Sequence, residues 1–103
     1  MTGTAALGPY AAPSAAEAYR QARAILERIS SALTEVDATL DQVIRTRMFV
    51  VDIDRDWRSI GRAHSEFFGD IRPATTMVEV RRLIDPGMLV EIEADAIAND
   101  GQP

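Results

Sequence analysis

Apolar residues recur along this chain with two different periods. Ala18, Ala22, Ile25, Leu26, Ile29 and Leu33 keep the i, i+4, i+7, i+8, i+11 spacing of a single helical stripe, while Arg20, Arg23, Glu27 and Arg28 fall off it. Ser14 followed by Glu17 forms the start signal, since the Ser14 hydroxyl can accept the Glu17 amide proton and the Glu17 carboxylate can turn back to the Ser14 amide. The spacing therefore predicts an amphipathic helix of about five turns, capped at Ser14 and ending near Leu33–Glu35. Residues 1–13 are small and punctuated by glycine and proline, and read as a lead-in loop.

From Val43 the period changes to two. In the run Val43–Val51 the even positions Ile44, Thr46, Met48 and Val50 are more uniformly apolar than the odd ones, so they are expected to face a helix layer. Asp52 to Asp56 ends the strand, with Asp54 as the expected N-cap of a second helix. Its apolar face is read as Trp57, Ile60, Gly61, His64, Phe67 and Phe68, and it stops at Gly69. Ala74–Leu83 and Met88–Ala98 follow as strands around an Asp85-Pro86-Gly87 turn, which predicts an antiparallel hairpin. The tail 99–103 reads as frayed. Helix, strand, helix, strand, strand defines an α+β two-layer sandwich, a mixed but largely antiparallel sheet with both helices on one face. The whole chain, 1–103, is expected to form one domain. Three strands leave two sheet edges open, and partner subunits or further strands are expected to cover them.

Composition narrows the chemistry. The chain has no cysteine and one histidine, His64, so disulfides, thiolate nucleophiles and a histidine-built metal cluster are excluded, and no metal site is expected. Sixteen acidic residues against eleven basic ones, all arginine, give a net charge of −5, which repels a phosphate backbone and argues against nucleic acid as a partner. Arg81-Arg82 is too short for a basic patch. Asp52, Asp54 and Asp56 imitate the start of a calcium loop, but the glycine and distal glutamate are absent at the required offsets. No apolar stretch approaches bilayer length and no leader pattern opens the chain, so no membrane partner is expected and a cytoplasmic location is.

The C-terminal half carries a motif. Pro73-Ala74-Thr75-Thr76-Met77-Val78-Glu79-Val80-Arg81-Arg82-Leu83, followed after six residues by Val90-Glu91-Ile92-Glu93-Ala94, resembles the signature of the Rid family, the YjgF-like or L-PSP-type reactive-intermediate deaminases. Arg45 to Val50, the acidic turn, Trp57 to Phe68 and the Gln21-Ala22-Arg23 step extend the resemblance over roughly residues 14–98. The resemblance implies a chorismate-mutase-like fold and a homotrimer with clefts between subunits. It also implies cofactor-free hydrolysis of enamines and imines, such as 2-aminoacrylate, to keto acids and ammonia; the expected ligand is thus a small metabolite, a 2-imino or 2-keto acid.

By the same resemblance Glu91 matches the glutamate that places the attacking water, and Thr75 and Met77 hold the cleft-lining, substrate-binding positions. Thr75 stands where active relatives carry an arginine that grips the substrate carboxylate, so a charged bidentate fork is replaced by one neutral hydroxyl. Arg47, Arg72 and Arg81 are the arginines available to replace it. Gly61 stands where relatives often have a cleft-facing asparagine, and His64 where they commonly have tyrosine, which makes His64 a packed aromatic. Glu91 otherwise belongs to an ordinary outward acidic face with Glu93 and Asp95. Thr2-Gly3-Thr4 matches the end of the family's second strand, so the leading hairpin is expected to be missing and Met1 to fall inside a longer gene or the sheet to have lost an edge. Gly8-Pro9-Tyr10 also resembles an element that precedes that hairpin.

Overall fold

The computed structural model describes residues 12–97; the readings for residues 1–11 and for the tail from 98 onward lie outside them. Helix α1 spans Ala15–Glu35, strand β1 Val43–Val50, helix α2 Ile53–Phe68, strand β2 Ala74–Glu79 and strand β3 Val90–Ala96. The two helices lie on one face of a three-stranded mixed sheet, the α+β architecture expected from the order of elements.

Helix α1 begins at the predicted cap, with the Glu17 amide donating to Ser14 Oγ at 3.0 Å, while the Glu17 carboxylate accepts from Arg20 and Gln21. Ala18, Ala22, Ile25, Leu26 and Ile29 of its stripe are buried. They meet Ile60, Ala63 and Phe68 of α2 and Met48, Val50, Val90 and Ile92 of the sheet in one core. Helix α2 starts two residues earlier than expected. Asp52, not Asp54, is its cap, because Asp52 Oδ1 accepts from the Arg55 amide at 3.2 Å and satisfies the third free N–H of the first turn. Its inward stripe runs through Asp56, Ile60, Ala63 and Phe68. Trp57 is a correction: it lies about 100° around the helix from Asp56 and is 48% exposed, with the Arg58 guanidinium 4.9 Å from its ring centre. Asp56 takes the inner position, its carboxylate gripped by Arg55 Nε and Nη2 at 2.7 and 2.8 Å.

The sheet order β2-β1-β3 overturns the expected hairpin. Strand β1 is central; β2 pairs with it in parallel, Thr46 opposite Thr75, and β3 antiparallel, Phe49 opposite Glu91. The turn at Asp85 does form, with the Gly87 amide donating to Asp85 Oδ1 at 2.9 Å. It belongs, however, to a connection from Val80 to Leu89 that is long enough to carry the chain across β1. Both later strands thereby pair with the strand richest in buried apolar residues. With α2 as the crossover, β1-α2-β2 makes a parallel βαβ unit. The even face of β1 is buried at Thr46, Met48 and Val50, as its alternation predicts, but a register shift between Val43 and Arg45 turns Val43 inward and leaves Ile44 half exposed.

Buried Gln21 ties α1 to the segment entering β3. Its Nε2 donates to Gly87 O at 3.0 Å and to Glu17 Oε2 at 2.9 Å, and its Oε1 accepts from the Leu89 amide at 2.8 Å.

Candidate functional site

The register decides which candidate side chains share a surface, because residues paired across strands point to the same side. Thr75 and Met77 lie opposite Thr46 and Met48, on the helix-facing side of the sheet. Glu91 lies opposite Phe49, on the uncovered side with Glu93 and Asp95. Within one protomer the sheet therefore separates Glu91 from Thr75 and Met77. Both β2 and β3 keep one unpaired edge among the described residues.

The three acids of the uncovered face are not equivalent. Arg47, across on β1, donates from Nε to Glu93 Oε1 at 2.7 Å and from Nη1 to Asp95 Oδ2 at 3.0 Å. Those two hydrogen bonds raise the Arg47 pKa above its ordinary value. The Glu91 side chain, half-buried beside Phe49, forms no hydrogen bond or ion pair among the described residues. Arg47 is thus committed on the face away from Thr75. The pairing was missed in the sequence because it needs β3 beside β1; once that is known, period-two alternation points to it.

Thr75 sits at the mouth of a buried polar chain. Its hydroxyl donates to Pro73 O at 2.9 Å and lies 3.1 Å from Thr46 Oγ1, which is 2.8 Å from His64 Nε2. Thr46 is fully buried and His64 half-buried, its ring 4.7 Å from that of Phe68. Burial lowers the His64 pKa from its ordinary value. The packed-aromatic reading of His64 holds, and the hydrogen bond to Thr46 is added to it. Gly61, one turn before His64, has open space beside it: a Cβ built there meets nothing within 4 Å.

A groove of about 410 Å³ runs between the C-terminal half of α1 and β3, lined by Ile29, Leu33, Val36, Glu93, Ala94 and Ala96. Thr75, Met77 and Glu91 are not in its walls. Among the described residues no cluster of three His, Asp or Glu side chains could hold a metal ion, and no helix is long and apolar enough to cross a membrane.

Comparison with known proteins fits this geometry. The Endoribonuclease L-PSP family matches residues 1–98, and the chain belongs to that family, also named YjgF or Rid. It is 46% identical to a crystal structure of a member of the YjgF/YER057c/UK114 family from Mycobacterium tuberculosis, with a TM-score of 0.77 over 94% of this chain and 80% of that one. It is 33% identical to a Rid family protein from Yersinia pestis, TM-score 0.70, over 76% of this chain and 61% of that one. A RutC family protein of Pyrococcus abyssi is 34% identical over 76 residues, 74% of this chain. An uncharacterised Streptomyces coelicolor protein is 36% identical over 78 residues, 76% of this chain. The matched part spans 58% of each of these last two proteins.

Proposed function

We propose that this chain assembles as a homotrimer whose intersubunit clefts bind a small metabolite and hydrolyse enamines or imines to keto acids and ammonia. The observation that carries this reading is the placement of the candidates on opposite sides of one sheet. Only a neighbouring copy can bring the Thr75 and Met77 of one protomer to the Glu91 of another. The unpaired strand edges and the uncovered face offer the surface for such packing. In this role Glu91, the acid that Arg47 leaves unpaired, orients a water and accepts its proton as the oxygen attacks the imine carbon. The resulting carbinolamine loses ammonia by cleavage of the C–N bond, leaving the carbonyl. The balance is one water consumed and one ammonia released per imine, with no cofactor. Thr75 and Met77 bind the substrate from the opposite wall, and the site lies in the cytoplasm.

A second reading keeps the assembly and the ligand but not the chemistry. It is favoured by Thr75, whose neutral hydroxyl replaces the charged clamp of active relatives; such a loss weakens carboxylate binding by about one to two orders of magnitude. Cleavage of RNA, which the family's endoribonuclease description names, is disfavoured by the net charge of −5. The test is to incubate the protein with freshly generated 2-aminoacrylate and follow pyruvate and ammonia, alongside sedimentation. Turnover by a trimer is expected, slow on this carboxylate substrate because Thr75 stands in for the clamp, with Glu91→Gln abolishing it; if Thr75→Arg increases it, the missing clamp is the limit. A trimer without turnover that binds a keto acid saturably supports the binding module. A stable monomer overturns both.

A further inference from the structure

We propose that Thr75, oriented through Thr46 by His64, is a hydrogen-bond donor for an uncharged ligand bearing a carbonyl oxygen or imine nitrogen, rather than a carboxylate clamp. This rests on the reading that Thr75 lines the cleft, and specifies what the cleft takes.

The contacts alone leave the donor at Thr46–Thr75 and the His64 tautomer open; counting all three contacts as hydrogen bonds selects one direction. Pro73 O can only accept, so the Thr75 hydroxyl at 2.9 Å spends its one proton there. Thr75 Oγ1 must then accept from Thr46 Oγ1 at 3.1 Å, and Thr46 in turn must accept from His64 at 2.8 Å. This direction assigns the imidazole the Nε2–H tautomer, whose hydrogen bond makes Thr46 a donor toward Thr75. A hydroxyl that is supplied from behind can swing its proton from Pro73 O to an incoming acceptor without stranding a buried group. With the opposite tautomer, Thr75 would have to donate inward to Thr46 and could offer a ligand only lone pairs. His64 and Thr46 are thus positioning residues, and Thr75 touches the ligand.

The charge around the site favours an uncharged ligand. Within the protomer Arg45 and Arg47 lie on the other side of the sheet from Thr75, by their register with Ala74 and Thr76. The Glu91 face that a neighbour would present carries them beside Glu91, Glu93 and Asp95, so it stays net negative, and its Arg47 is bonded to Glu93 and Asp95. On α2, Arg58 covers the Trp57 ring and Arg62 the Tyr19 ring, at 4.9 and 4.2 Å. Arg72, exposed in the turn before Pro73, is the cation nearest in sequence to Thr75.

The experiment compares pyruvamide with pyruvate as probes of the full chain, by titration calorimetry and by the ring nitrogen resonances of His64. As the only histidine, His64 gives unambiguous signals. Pyruvamide is expected to bind more tightly than pyruvate and to move the His64 Nε2 resonance. Thr75→Val and Thr46→Val should abolish that movement. His64→Phe, which keeps the ring stacked on Phe68, should weaken pyruvamide binding about three- to tenfold, and His64→Gln, which restores an N–H donor, should recover most of it. Tighter binding of pyruvate, lost in Arg72→Gln, would assign Arg72 as a carboxylate clamp and overturn the proposal. So would pyruvamide binding that leaves His64 unmoved. If neither probe binds while 2-aminoacrylate is still hydrolysed, this inference fails alone; if turnover and trimer are absent as well, the proposed function fails with it.

Discussion

Replacing Gln21 by leucine isolates the contribution of one buried amide. The side chain is fully buried and serves the backbone on both sides of Met88, donating to Gly87 O and accepting from the Leu89 N–H. Leucine has a similar volume, so no large cavity forms, but two backbone groups lose their partner. The Leu89 amide is enclosed and bears the full penalty, about 1–3 kcal/mol for an orphaned buried donor. Gly87 is half-buried, so water can still reach its carbonyl and the cost there is small. Glu17 keeps Arg20, whose Nη2 lies 2.7 Å from Oε2. Extra apolar burial offsets about 1 kcal/mol. The net expectation is a loss of about 1 kcal/mol, or roughly 4–8 °C in Tm for a domain of this size. Urea unfolding followed by far-ultraviolet circular dichroism, at fixed protein concentration so that assembly does not enter, should show a lower midpoint with an unchanged slope. The Leu89 amide should also exchange with solvent faster. A midpoint unchanged to within about 0.5 kcal/mol would refute the claim that Gln21 holds this segment.

Two further outcomes follow from the same accounting of partners. Burial lowers the His64 pKa in the folded state, so the unfolded chain binds this proton first as pH falls. The His64 contribution is therefore fully present above the ordinary histidine value, about 6.5. It declines as pH drops from there toward the lower folded value. Urea midpoints at pH 7.5 and 5.5 should differ less in His64→Phe than in the parent; an equal pH dependence would refute this. Gly61 lies in the interior of α2 with open space beside it, so Gly61→Ala should raise stability by about 0.5–1 kcal/mol, read from the same urea curves; a destabilised variant would show that the space is filled.

What could be read in advance divides along a physical line. Local rules held where a residue's environment is set by its neighbours in sequence. Ser14 capped α1, the Ala18-to-Ile29 stripe was buried, and β1 turned Thr46, Met48 and Val50 inward. Errors came where one element's position depends on another. A turn at Asp85-Pro86-Gly87 is compatible with a hairpin or a crossover, and only the competition for β1 decides between them. The helical spacing of Trp57 to Ile60, Gly61 and His64 points to the core; the stripe in fact passes through Asp56, which an apolar pattern cannot select. The candidate site shows the same division. The resemblance to a family named Glu91, Thr75 and Met77, but their separation by the sheet is a matter of register. Likewise the His64–Thr46–Thr75 chain joins three elements, and nothing in the spacing of those residues announces it.

The central position of β1 also orders the events of folding. β1, α2 and β2 are contiguous and pair across 29 residues, as between Thr46 and Thr75, whereas Arg47 and Glu93 are 46 apart. The shorter loop closes at lower entropic cost, so the parallel unit is the one favoured to form first. During synthesis it can also form before β3 has left the ribosome. Until β3 arrives, one margin of β1 has free amides and carbonyls at the middle of the future sheet. A nascent chain stalled there would be the species most prone to aggregate, and the one a chaperone would need to shield.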